Sequence, residues 1–312
     1  MMTQLYICKI CDSTASNLLV SGIRDWEYGA PGEYSYRKCI TCEQIQIDPF
    51  PSLQEIMDAY PDVYPAYIGD IKTNRGKFYN LFLTMHDRIR MRCLIPHIKP
   101  DAKILDIGSG NGDFLCYFKK HGIKDLHGID FNKHAIKIMK KREIQTFHGM
   151  YLDYLGKKES FDLISMNHYI EHVLNPVAEL QKSFDLLKPG GVLFGILPNF
   201  NGFERSFFKK FWGGNHVPRH TFQYTDKQLK NLLKKTGFAQ IKIKHDVNPG
   251  PFAISIQNWL QRHTIDLKNN PKLKHGRMKN FNLLLLLCLP LNSIFTLFKR
   301  SGIIGFYAVK AP

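Results

Sequence analysis

Acid is what this chain is short of. Its 312 residues carry 27 Asp and Glu against 43 Lys and Arg, for a net charge of +16. That imbalance argues against a cationic partner and for an anionic one: RNA, an acidic membrane surface or a phosphorylated substrate. The basic residues are spread along the chain, so a solvated basic surface accounts for them as well. Residues 1–8 (MMTQLYIC) lack a charged stretch followed by an apolar run, so no secretory signal is expected. An unbroken membrane span is missing too. The most apolar stretch, 281–298, has 18 residues interrupted by Asn282, Pro290 and Asn292, against the roughly 20 that a crossing helix needs. It reads instead as a buried helical cap, a dimer contact or a segment lying in a membrane interface with basic flanks from 272 to 300. Without export, the seven cysteines belong to a reducing compartment, where a disulfide framework is not expected. The expected location is the cytoplasm, with peripheral attachment to the inner face of the membrane left open.

Four of the cysteines come in two pairs, Cys8-Lys-Ile-Cys11 and Cys39-Ile-Thr-Cys42. Each turn of this kind presents two thiolates to one tetrahedral ion, and two turns complete a four-sulfur structural zinc site. The residues between them are too few and too polar for a core of their own, so bound metal would supply the folding energy. Such a site is closed and has no catalytic role. The expected division is a zinc-binding module at 1–50, a connector with helices at 51–100, and a large domain at 101–312 with an apolar helical insertion at about 245–302. The connector's tyrosines from Tyr60 to Tyr67 could line a substrate mouth, and 76–98 has helical periodicity.

The large domain is organised around Lys103-Ile-Leu-Asp-Ile-Gly-Ser-Gly-Asn-Gly112. This reads as a buried strand, 103–107, entering a glycine turn and then a helix, 113–120. Gly108, Gly110 and Gly112 let the backbone turn sharply and approach a ligand without Cβ interference. Asp130, which ends the next apolar run, lies near the spacing of a ribose-binding acid. A dinucleotide would set its pyrophosphate at the glycine turn, where Asp106 would repel it. A ligand with an ammonium and a sulfonium there, such as S-adenosylmethionine, would be attracted.

Beyond this turn strand and helix alternate, the mark of a parallel sheet. Strands are expected at 143–147, 161–166, 192–197, 239–244 and 303–309. The fold class is therefore α/β: a Rossmann-like, seven-stranded, mostly parallel sheet with helices on both faces, plus a small zinc-ribbon-like module.

Asp106-Ile-Gly-Ser-Gly-Asn-Gly112 resembles the glycine turn of class I S-adenosylmethionine-dependent methyltransferases. Phe161-Asp-Leu-Ile-Ser-Met166, Glu171-His-Val173 with Pro176, and Leu187-Lys-Pro-Gly-Gly-Val192 extend the resemblance over about 100–245. More loosely, the cysteine module and Asn215-His-Val-Pro-Arg-His-Thr-Phe-Gln-Tyr224 resemble bacterial methyltransferases that modify polysaccharides and sugars. The resemblance implies that Asp106, Gly108, Gly110, Gly112 and Asn167 hold the methionine part of the cofactor. It also implies that Asp130 takes the ribose, and that Phe131, Met150 and Tyr151 flank the adenine.

Methyl transfer to a hydroxyl or carbon acid needs a base, and histidine suits that role near neutral pH. His168, His172, His216 and His220 compete for it. His172 is read as structural; His220 is favoured, in a loop expected to act as a flexible lid, with Arg219 as an anion contact. Related quinone-precursor O-methyltransferases hold a divalent metal with acids and a histidine near His168, and the histidine at 168 speaks against that metal here. The overall expectation is methyl transfer to a small molecule, sugar or polysaccharide precursor, with a lipid-linked acceptor within its scope. The rivals are an rRNA methyltransferase, with nucleic acid the less favoured partner, a quinone-precursor O-methyltransferase, and a cofactor-binding scaffold without turnover.

Overall fold

A computed structural model describes residues 5–61, 64, 94, 98–264, 273, 274 and 276–311. The helix expected at 76–98 and the tyrosine at 67 fall largely or wholly outside these residues. The larger sheet has seven strands. In chain order they are β4 (Lys103–Ile107), β5 (Asp125–Asp130), β6 (Gln145–His148), β7 (Phe161–Asn167), β8 (Leu187–Pro198), β10 (Phe238–Asp246) and β13 (Ile303–Lys310). Their spatial order is β10-β13-β8-β7-β4-β5-β6. β4, β5, β6, β7 and β8 run parallel, and β13 is antiparallel to both β8 and β10.

This order makes β4 and β7 the switch point. The chain moves outward from β4 through β5 to β6, then returns to β7 on the other side. Clefts for ligands open at the carboxyl ends of strands at such a point. The apolar strands are covered on both sides. Leu105, Ile107, Ile164, Leu193 and Phe306 belong to one core cluster, and Ile104, Leu115, Phe118, Leu163 and Phe194 to another. Helices α2 (Asp113–Lys120), α3 (Lys133–Lys141), α4 (Pro176–Leu186) and α6 (Asp226–Lys235) connect the strands. Asn132 caps α3 through hydrogen bonds from the backbone N–H groups of His134 and Ala135, and Asn175 followed by Pro176 opens α4.

The amino-terminal segment forms a second, four-stranded sheet: β1 (Ser16–Ile23), β2 (Tyr34–Cys39), β3 (Ile45–Asp48) and β9 (Phe222–Gln223). Its last strand is lent by the larger domain, so the two units are joined by backbone pairing of Ile45 with Gln223 and Gln46 with Phe222. Tyr36 tightens the join by donating from its hydroxyl to the carbonyls of Asn215 (2.8 Å) and His220 (2.9 Å). The loop that carries His216, Arg219 and His220 is thus held against the second sheet through two of its backbone carbonyls.

The insertion between β10 and β13 contains α7 (Gly250–Leu260), a two-stranded ribbon and α8 (Phe281–Leu297). α8 runs through Pro290 without breaking. Among the described residues no helix is long and apolar enough to cross a membrane.

Candidate functional site

The glycine turn does what its spacing promised. Gly108, Gly110 and Gly112 all have positive φ, at +66°, +52° and +80°, a region that costs residues with a Cβ. At Gly108 a Cβ would also meet the Tyr169 ring at 2.7 Å. Asp130 fastens the turn from the neighbouring strand. Its Oδ2 accepts from the Gly110 N–H and its Oδ1 from the Asn132 N–H, both at 2.8 Å. Burial raises the Asp130 carboxyl, and these backbone donors pull the other way. Asp106 lies on β4 beside the switch point, 3% exposed, and accepts a 2.5 Å hydrogen bond from Ser165 on β7. Burial, opposed by Ser165, pushes its carboxyl up to about 7. The next polar side chain along β7 is Asn167, whose buried amide works with Ser165 against the rise at Asp106, while its amide oxygen has no hydrogen-bond partner.

These residues converge on the same strand ends, and the orphaned amide oxygen and the Cβ-free turn fit a zwitterionic ligand with a cationic centre. Phe131 is close by, its ring 5.4 Å from that of Tyr60. Met150 is half-buried at the entrance to a short helical turn, Tyr151–Asp153. Tyr151 is packed in the main core with its hydroxyl 3.0 Å from Ser183 Oγ.

Over these strand ends sits a layer of tyrosines and histidines drawn from distant segments. Tyr60 packs against Phe131 and Tyr64, and its hydroxyl lies 3.1 Å from His172 Nδ1. Tyr64's hydroxyl lies 3.3 Å from His216 Nε2, and the Tyr28 ring meets both Tyr64 and His216. The other ring nitrogen of His216, Nδ1, is 3.2 Å from Glu27 Oε1. Glu27 in turn pairs with Arg277 at 2.5 Å. Burial works to raise the Glu27 carboxyl, but Arg277 and His216 outweigh it and hold it at about 2. An ionised carboxylate only accepts, so His216 carries its proton on Nδ1 and turns a lone pair on Nε2 toward Tyr64. Burial, with Arg219 adding to it, lowers the His216 pKa and keeps the ring neutral.

The other candidate histidines are placed differently. His220 is buried, with Nδ1 2.8 Å from the Gly214 carbonyl, and burial followed by His172 drives its pKa far down. His172 donates from Nδ1 to the Arg219 carbonyl at 3.1 Å. His168 is exposed, with Nδ1 3.3 Å from Glu171 Oε1. His168 and His216 both have left-handed backbones, φ +50° and +40°, a strain that gathers at functional sites. Arg219 is fully buried, pairs with Asp25 at 2.8 Å and donates to the Ala59 carbonyl. It serves as an internal strut, which corrects the expected anion contact: its charge is already matched.

Among the described residues two groups could hold a metal ion. The first is Cys8, Cys11, Cys39 and Cys42, with Cys8 and Cys42 sulfurs 3.5 Å apart and those of Cys11 and Cys39 3.6 Å apart. Those spacings are too long for a disulfide and close to the ~3.8 Å edge of a tetrahedron with zinc–sulfur bonds of about 2.3 Å. The second is Glu171, His172 and His220. Glu171 is 1% exposed and its Oε2 has no hydrogen-bond partner.

A methyltransferase domain family matches residues 79–243, more than half of the chain. The chain belongs to that family. It is an S-adenosylmethionine-dependent methyltransferase. The methyltransferase is 25% identical to a demethylmenaquinone methyltransferase of Staphylococcus haemolyticus over 176 residues, 47% of this chain and 73% of that one. It is 32% identical to the EEF1A lysine methyltransferase 2 of Danio rerio over 132 residues, 42% of this chain and 48% of that one. Among solved structures, a methyltransferase from Archaeoglobus fulgidus overlaps 75% of this chain and 100% of its own at 21% identity, with a TM-score of 0.49.

Glu27, Tyr28 and Arg277 were not legible as site residues in the methyltransferase sequence. Their one signal is a charged pair of opposite sign flanked by aromatics, at 24–28 and 277–281, with nothing to show that the segments meet.

Proposed function

We propose that the protein methylates a hydroxyl of a sugar or polysaccharide precursor, held among Tyr28, Tyr60, Tyr64 and His216. The observation that carries this reading is the Glu27–His216 pair. A neutral imidazole, fixed in one tautomer by an ionised acid, turns the lone pair of its Nε2 toward the Tyr64 hydroxyl, in the layer above the cofactor motif. When bound, S-adenosylmethionine supplies an electrophilic methyl group. Asp106 balances positive charge beside the turn, Asp130 accepts from the ribose hydroxyls, and Asn167 offers the amide oxygen that lacks a protein partner. His216 Nε2 takes the acceptor's hydroxyl proton, and Glu27 stabilises the imidazolium that results. Tyrosine hydroxyls, Glu27 and Arg277 make this layer rich in hydrogen-bonding groups, which suits a polyhydroxylated acceptor. In the amino-terminal module Cys8, Cys11, Cys39 and Cys42 would hold a structural zinc ion, which would fix the sheet whose β1–β2 connection carries Glu27.

A second reading takes a quinone precursor as acceptor. It is favoured by the Glu171–His172–His220 group, which offers one carboxylate and two imidazoles to a divalent cation, and by the demethylmenaquinone methyltransferase relative. Turnover decides between them. S-adenosylhomocysteine release is measured with lipid-linked and nucleotide-linked sugars, with quinols and with RNA. Methylation of a sugar, lost by about 10²–10⁴-fold in His216→Ala with cofactor binding intact, supports the first reading. Quinol methylation that a chelator abolishes selects the second. RNA methylation that weakens steeply with salt, or cofactor binding with no acceptor methylated, overturns both.

A further inference from the structure

The helix α8 is apolar on two faces, only one of which the protein covers. Its inner face, Phe281, Leu285, Cys288 and Phe295, joins the core cluster that contains Phe208 and Phe252. Its outer face is also apolar. Leu283, Leu286, Leu287, Leu291, Ile294 and Leu297 recur at helical spacing and are exposed, from 40% at Leu286 to 82% at Leu297. Phe298 extends the stripe at 74% exposed, and Phe207, 68% exposed, flanks it through the Phe203 ring stacked on Phe295. A continuous apolar stripe of this length on a protein surface marks a docking site.

Charge decides the occupant. No acidic residue occurs in the sequence from 267 to 312. The exposed lysines Lys279 and Lys299 bracket the helix, and Lys209 and Lys210, also exposed, follow Phe207. A second copy of the chain packed with its helix along this stripe, parallel or antiparallel, would bring lysine ends against lysine ends. An anionic surface meets every one of them favourably. The helix has 17 residues, about 25 Å at a rise of ~1.5 Å per residue, short of a ~30 Å hydrocarbon core. It therefore lies along a bilayer rather than through it.

We propose that the outer face of α8 is a membrane-docking surface, its leucines entering the interface of an anionic bilayer while Lys209, Lys210, Lys279 and Lys299 contact the headgroups. Such a helix binds through buried apolar area and lipid charge together. The surface does not depend on which acceptor the site takes. It does place the enzyme where a lipid-carried acceptor would be, since Arg277, just ahead of α8, pairs with Glu27 at the site.

Sedimentation of the full chain with vesicles tests this. Binding to phosphatidylcholine vesicles containing phosphatidylglycerol should exceed binding to pure phosphatidylcholine by about tenfold or more, and high salt should remove most of the difference. Leu287→Glu with Leu291→Glu, and separately Lys279→Glu with Lys299→Glu, should each abolish it while melting temperature and cofactor binding stay unchanged. If a variant proves unstable, the wild-type dependence on lipid charge and salt still decides. Equal binding to neutral and anionic vesicles, or no binding to either, would overturn the proposal. So would a dimer that Leu287→Glu with Leu291→Glu dissolves in a protein that ignores vesicles.

Discussion

Asp106, beside the glycine turn, and Glu27, in the tyrosine–histidine layer, are both buried acids, and burial wins at one and loses at the other. At Asp106 only neutral donors, the Ser165 hydroxyl and the Asn167 amide, oppose the desolvation cost, the nearby Asp130 adds to it, and no positive group faces it among the described residues, so the carboxyl rises to about 7. At Glu27 the same cost is outweighed by Arg277 and His216, and the carboxylate is held near 2. The cofactor side is built with a charge left for a ligand to balance. The layer proposed to take the acceptor balances its own charges and arrives organised. Preorganised dipoles and charges need no rearrangement during reaction, whereas a carboxyl on the edge of ionisation can report whether its ligand is bound.

The comparison breaks most sharply where self-compensation is removed. Asp25 accepts from the backbone N–H groups of Glu27, Tyr28 and Ala30 and pairs with Arg219, both side chains being almost fully buried. Asp25→Ala leaves Arg219 charged, buried and unmatched, a loss of about 3–5 kcal/mol. Urea unfolding should show it, and the same substitution should loosen the turn that aims Glu27. A loss below about 1 kcal/mol would mean that water reaches Arg219 and the acceptor side is not self-contained.

Next in size is Glu27→Gln, which keeps the shape and removes the charge. Turnover should fall by about 10²-fold, at the lower end of what general-base assistance supplies, with little change in cofactor affinity. The pH profile gives the sign. His216 is neutral above its lowered pKa, so activity rises with pH through that value and then levels off. Glu27 is a group that raises the His216 pKa, so its loss should move the rising limb to lower pH while the plateau drops. A profile that keeps its position would exclude His216 as the group being titrated.

Cofactor binding to Asp106 sharpens the other half. A cationic ligand favours the carboxylate, so affinity should weaken as pH falls below about 7 and reach a plateau above it. Calorimetry across that range should show proton release on binding in the acidic limb. Asp106→Asn should flatten the dependence and lower the plateau by about tenfold, some 1.4 kcal/mol.

How much of this was readable from the chain follows the same division. β4, the glycine turn and α2 are local: a strand period, three glycines and a helix period within 103–120 settle them, and Asp130 follows at a fixed distance in the same unit. The acceptor layer has no such locality. Glu27 reaches His216 across 189 positions and Arg277 across 250, and polar residues in loops carry no period to mark their partners. His216 and His220 show the consequence. Both lie in one loop, and only the arrival of Glu27 at Nδ1 of His216 and of the Gly214 carbonyl at Nδ1 of His220 tells them apart. The leucine run of α8 posed a different problem. With apolar residues on every side, its sequence could not say which face turned outward.

The smallest effect separates strain from contact at the turn itself. Gly108 and Gly190 both have positive φ, +66° and +77°. A Cβ at Gly108 meets the Tyr169 ring at 2.7 Å, and a Cβ at Gly190 meets nothing within 4 Å. Gly108→Ala and Gly190→Ala should therefore share the backbone penalty, about 1–2 kcal/mol in thermal or urea unfolding. Only Gly108→Ala should also push Tyr169 away from the turn and weaken S-adenosylmethionine binding, because Tyr169 and His168 directly follow Asn167, the last residue of β7. The expected shift is severalfold in Kd for Gly108→Ala and none for Gly190→Ala. Equal loss of binding in both would assign the effect to stability alone, and would remove the reason for glycine at 108 from the ligand and return it to the fold.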